Sequence, residues 1–75
     1  MNKQALEDFL NTEVLVVESD LFLWNNIYYQ SIVWSAMKAS KYRPDHFIKH
    51  EYRTHTYFIR EMSDNLLKKY YNLTD

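Results

Sequence analysis

The chain contains no glycine, and one proline, in 75 residues. Glycine supplies positive φ and lets another group approach the backbone closely, so its absence removes whole classes of structure and chemistry. A phosphate-cradling loop, a dinucleotide-binding turn and a nucleophile elbow all depend on it. Two-residue hairpin turns favour it as well. An antiparallel sheet built from this chain would have to close its turns with Asn or Asp, and one proline offers few further breaks. The expectation that follows is an all-α fold. It is a small three-to-four-helix bundle built on a long antiparallel helical hairpin, with residues 1–75 as a single domain.

A domain of this size buries only about 60% of the surface its unfolded chain exposes, so small domains often carry a staple. With no cysteine, a disulfide and a thiolate zinc site are both excluded. Two Trp, seven Tyr and four Phe are the substitute the composition offers, since each buried aromatic covers about 150–250 Å².

Apolar spacing supplies the element boundaries. Residues 2–11 read as a helix with Asn2 as N-cap and Leu6, Phe9 and Leu10 on one face. Residues 13–18 are rich in valine, which favours a strand. Val14, Val17, Leu21, Trp24 and Tyr28 nevertheless step by three and four, and that seam tips the reading to helix. Residues 20–40 read as the central helix, apolar on nearly all sides apart from a strip at Gln30, Ser31, Ser35 and Lys38. Such a helix lies at the centre of a domain or in an oligomer interface. In so short a chain it makes Trp24, Tyr28 and Trp34 candidate interface residues and a homodimer an alternative assembly. Residues 40–44 form the connection, with Pro44 opening the next helix. From Asp45 to about Tyr71, the residues Ile48, Tyr52, His55, Ile59, Met62, Leu66, Tyr70 and Leu73 form a near-heptad seam, which Ser63-Asp64-Asn65 can interrupt.

The formal net charge of −1 hides a dipolar chain. Residues 1–37 carry Lys3 against Glu7, Asp8, Glu13, Glu18 and Asp20. Residues 38–60 carry Lys38, Lys41, Arg43, Lys49, Arg53 and Arg60 against Asp45 and Glu51. On a helix after Pro44, His46, Lys49, His50, Arg53, Tyr57 and Arg60 would form an outward stripe opposite the seam. Such a stripe suits an acidic protein surface. It also suits phosphates, with Tyr57 and Tyr42 available to stack on bases. The near-neutral total ranks the protein partner ahead of nucleic acid.

Catalytic chemistry finds little support. His46 and His50 at i, i+4 make half a zinc site, but Phe47 stands where a metalloprotease helix needs glutamate. His55 falls on the seam, where a hydrogen-bonded core histidine is the plain reading and a pH-sensitive contact the sharper one. Glu13 with Glu18, or Glu51 with Glu61, can be drawn as acid–base pairs, but their spacing does not prefer that over a solvated face. The sequence therefore points to no catalytic residue, no metal and no cofactor. It points to a small non-enzymatic protein that binds and modulates or inhibits a larger macromolecule. The alternative is a nucleic-acid-binding regulator using the segment after Pro44. The longest apolar runs are short (Val14–Val17 and Leu21–Trp24), against about 20 residues for a membrane span. The N-terminus lacks a signal-peptide core, so the cytoplasm is the expected compartment. Richness in Asn, Tyr, Lys and Ile is in keeping with an AT-rich genome, such as that of a phage or mobile element.

Overall fold

The computed structural model describes residues 3–12 and 19–72. It is an α+β domain, which overturns the expected all-α bundle. Helix α1 (Lys3–Thr12) is followed by strands β1 (Leu21–Trp24) and β2 (Ile27–Val33) and helix α2 (Trp34–Ala39). A single 3-10 turn (Pro44–His46) leads to β3 (Ile48–Tyr52) and β4 (His55–Glu61), and α3 (Asp64–Tyr71) closes the described chain. The four strands form one antiparallel sheet in the order β1-β2-β4-β3. Asn2, residues 13–18 and Leu73, all given roles above, lie outside the described residues.

The turns show how a glycine-free chain makes a sheet. Trp24 pairs with Ile27, and the two residues between them, Asn25 and Asn26, have φ of 56° and 64°. Two left-handed residues are what a type I′ hairpin turn requires, and asparagine is the residue that adopts them most readily after glycine. Tyr52 pairs with His55 at the second hairpin, where Arg53 takes the left-handed position at φ 56°. Asn72 does the same at the end of α3, at φ 58°, with its N–H donating to the Leu67 carbonyl. The absence of glycine was thus a constraint on turn chemistry and not a bar to strands.

The run that reads as an all-round apolar helix is a strand pair followed by the short helix α2, and the second strand is buried on both faces over its middle. In β2, Tyr29, Gln30, Ser31 and Ile32 are consecutively buried. Alternate residues face opposite sides of a sheet, so a strand covered on both sides reads as nearly continuous apolar sequence. On one side, Leu6 and Leu10 of α1 pack with Phe22, Tyr29, Tyr57 and Ile59, and Phe9 stacks on Trp24 at 5.3 Å. On the other, Met37 of α2 packs with Ile32 and Phe58, and Tyr42 and Phe47 join them. The case for a homodimer rested on a single helix apolar all round, and it lapses with that helix.

The near-heptad seam has an equally simple origin. A step of four along a strand returns to the same face, and a step of three across a two-residue turn lands on the cross-strand partner. Ile48 to Tyr52, Tyr52 to His55 and His55 to Ile59 are those steps around the β3–β4 hairpin. The interruption at Ser63 is a real helix start. Its hydroxyl accepts from the Leu66 N–H at 3.3 Å, and Asp64 and Lys68–Lys69 sit at the ends that the helix dipole favours. Among the described residues no helix is long and apolar enough to cross a membrane.

Candidate binding face

The polar strip within the central apolar run marks the most elaborate part of the molecule. Gln30 of β2 is the cross-strand partner of Arg60 of β4, and both point to the side of the sheet covered by α2. Gln30 is buried and its amide is engaged at both ends. The Arg60 Nε–H donates to Gln30 Oε1 at 2.8 Å, and Gln30 Nε2 donates to the Tyr42 hydroxyl at 3.3 Å. The Arg60 guanidinium sits among three rings, with Phe47 at 4.6 Å, Tyr42 at 5.3 Å and Tyr70 at 5.5 Å from their centroids. Its Nη2 is buried without a hydrogen-bond partner. This cage fastens the 40–47 segment and the end of α3 to the sheet.

Two open clefts adjoin the cage and share Tyr42 and Tyr70 as a common wall. One, of about 270 Å³, is bounded by Asp20, Gln30, Ser40 and Tyr71 as well. The other, of about 480 Å³, is flanked by Ser40, Lys41 and Lys69. The Tyr42 and Tyr70 rings lie 5.6 Å apart, and the Lys69 ammonium is 5.2 Å from the Tyr70 centroid. Tyr71 donates its hydroxyl to the Asp20 carbonyl at 3.4 Å. Burial pushes its phenol up to about 12, with the hydrogen bond to Gln30 acting the other way, so Tyr71 is a neutral donor at any physiological pH.

The six residues expected to form one helical stripe do not share a face, because they lie on a turn and a hairpin. His46 is exposed in the 3-10 turn, Lys49 is exposed on β3, and Arg53 is exposed at the hairpin tip with its guanidinium 5.3 Å from the Tyr52 ring. Tyr57 and His50 are cross-strand partners buried on the α1 side, and Arg60 is in the cage on the opposite side. The outward placement of His50 and Tyr57 is therefore corrected. Strand alternation puts residues 50 and 57 inward, where a 3.6-residue period would have put them outward. The three candidate interface aromatics also separate. Trp24 belongs to the α1 side of the core. Tyr28 and Trp34 flank opposite ends of β2, both partly exposed, with Trp34 tilted against Phe58 at 5.4 Å and Lys38 over its ring. His46 and His50 are not the facing pair of a helix, and no group of three His, Asp or Glu among the described residues is placed to hold a metal ion. Asp20, Gln30, Lys41, Phe47, Lys69, Tyr70 and Tyr71 are site residues that sequence reading missed. The available signal was Gln30 itself, a polar residue in an otherwise apolar strand, which needs a buried partner.

His50 forms a second polar feature. It is 4% exposed, its Nε2 has no hydrogen-bond partner, and it lines a cleft of about 330 Å³ with Gln4, Glu7 and Asn11 of α1 and Lys49 and Glu51 of β3. Burial lowers its pKa, and the Glu7 carboxylate opposes that shift in part. A histidine whose folded value lies below the unfolded value of about 6.5 binds its proton more readily when unfolded. Stability from this group is complete above that value and declines as pH falls from it toward the lower folded value. Urea unfolding at about pH 7.5 and 5.5 is expected to show the wild type weaker at the lower pH. His50→Phe should remove much of that difference and gain about 1 kcal/mol by eliminating the unpaired nitrogen. An unchanged pH difference in the variant would assign the effect to another group.

Comparison with protein-family models, curated proteins and solved structures gives no match. The functional reading rests on the site alone.

Proposed function

We propose that the protein is a non-enzymatic interaction module that docks on a larger, anionic macromolecule through the Tyr42–Tyr70 face and changes its activity by occupying that surface. The observation that carries this reading is the pair of tyrosine rings forming one wall of two open clefts, with Lys41 and Lys69 beside them. Charge supports it. Lys38, Lys41, Arg43 and Lys49 stand against Asp45 alone between residues 34 and 49, whereas α1 carries Glu7 and Asp8 against Lys3. Cations thus outnumber carboxylates in the stretch that carries Tyr42, while α1 on the opposite face of the sheet has the reverse balance, a bias that orients an approaching polyanion. Tyrosine is also one of the residues in which binding hot spots are enriched. The cytoplasm is the setting this reading assumes.

Retention on immobilised heparin tests it. The wild type is expected to bind at low salt and elute as salt rises, despite a net charge of −1. The double variant Lys41→Glu/Lys69→Glu should pass through unretained with its fold intact by circular dichroism. Passage of the wild type at low salt, or unchanged retention of the double variant, would overturn the assignment of this face.

A further inference from the structure

We infer that the anionic partner is a single-stranded nucleic acid, one base of which enters the smaller cleft while its backbone runs along the larger one. The inference rests on the docking reading above and names its partner. The geometry favours a base because the two clefts differ in charge and meet at rings. Asp20 lines the smaller cleft together with Gln30, Tyr42, Tyr70 and Tyr71. A phosphate is repelled there, while a neutral planar ring finds aromatic faces, and its exocyclic amine finds a carboxylate acceptor. The larger cleft has the opposite character, with Lys41 and Lys69 flanking the same two rings. Cationic side chains that track a backbone beside aromatic side chains on which bases stack are how single strands are held without a sequence code. A duplex keeps its base faces covered, so it meets the lysines but not the cleft. A purely acidic polypeptide such as polyglutamate satisfies the lysines and brings no planar ring to the tyrosine wall.

Preorganisation adds to the case. The Tyr42 ring is held by Gln30 through its hydroxyl, and the Arg60 guanidinium lies beside both rings, which also contact each other. A stacking platform already fixed in the free protein loses little side-chain freedom on binding. The caged arginine therefore acts as a positioning residue for the two tyrosines and does not itself meet the phosphate.

The experiment measures anisotropy of a labelled oligothymidylate with the full chain across a salt series. Duplex DNA of the same length, inorganic polyphosphate and polyglutamate serve as unlabelled competitors. The expected result is binding that weakens with salt and is competed less well by duplex, polyphosphate and polyglutamate than by the unlabelled oligonucleotide. Tyr70→Leu should weaken it about tenfold, and Tyr70→Phe should retain it. Lys69→Ser should lower the magnitude of the logarithmic salt slope by about 0.7. If polyphosphate competes as well as the oligonucleotide and Tyr70→Leu binds as the wild type does, bases are not read. The inference then fails while the anionic-partner reading stands. Preferential competition by polyglutamate replaces nucleic acid with an acidic protein. Failure to bind any of these polyanions sinks both readings. Should Tyr70→Leu not fold, the competitor ranking and the exposed Lys69→Ser variant decide alone.

Discussion

Tyr29→Ala is expected to lose about 3–5 kcal/mol of folding stability, the range for deleting a large buried aromatic. Tyr29 has no exposed surface. It stacks on Phe22 at 5.2 Å and leans on Trp24 at 6.0 Å, and it lies in the cluster that seats Leu6 and Leu10 of α1. A chain of this length has a total stability of roughly 4–11 kcal/mol, so the variant forfeits about a quarter of it or more and in the lower range does not fold. Urea unfolding followed by tryptophan fluorescence measures the effect, because Trp24 reports on the same cluster. Tyr29→Phe keeps the ring and removes only the hydroxyl, and should cost about 1 kcal/mol. A loss below about 1 kcal/mol for the alanine variant would mean that this cluster is not the main core.

Arg60→Leu is expected to be nearly as damaging, at about 2–4 kcal/mol, by a different route. The leucine leaves the buried Gln30 Oε1 without its donor, at a cost of about 1–3 kcal/mol. It also removes the cation from between Phe47, Tyr42 and Tyr70, each such contact contributing about 0.5–1 kcal/mol. Arg60→Lys does not restore the loss. A compact ammonium cannot lie flat among three rings, and its hydrogen bond to the amide has a different reach. The double variant Gln30→Met/Arg60→Leu should be milder than Arg60→Leu alone, because replacing both members of a buried pair leaves no orphaned acceptor. Equal losses in the single and double variants would show that the amide bond is not what the arginine supplies.

The helix at residues 3–12 and its face of Leu6, Phe9 and Leu10 were readable because a short amphipathic helix with one covered side displays its period directly. The break at Ser63 was readable, and it is the N-cap of a helix, whereas Pro44 opens one 3-10 turn ahead of a strand and not the long helix expected after it. The sheet was not readable, for three physical reasons. Residues 29–32 are buried in succession, covered on both sides of the sheet, which erases over the middle of β2 the alternation by which a strand is recognised, while Leu23 and Tyr28 are apolar although exposed and hide it in the rest of the ribbon. The β3–β4 hairpin has strand and turn lengths whose sum imitates a heptad, so Ile48, Tyr52, His55 and Ile59 mark a helical seam and a sheet face equally well. Asn25 and Asn26 carry the hairpin signal that glycine normally gives, and in a chain without glycine they were the pair to weigh. The Gln30–Arg60 pairing was beyond local reading. It joins strands far apart in sequence, and Arg60 appeared as a free cation because its aromatic neighbours come from the 40–47 segment and α3.

The strand order has a consequence for how the molecule is made. Each hairpin joins sequence neighbours through a two-residue turn, so either ribbon closes quickly and by itself. The central seam between them joins Tyr29 to Glu61 and Val33 to Tyr57, and the chain entropy of closing the intervening stretch falls there. On the ribosome the first ribbon emerges well before its companion. Ser31, Ile32 and Val33 then have water on the flank that β4 later covers, which makes that interval the one in which a nascent chain is most exposed to capture by chaperones or by its neighbours.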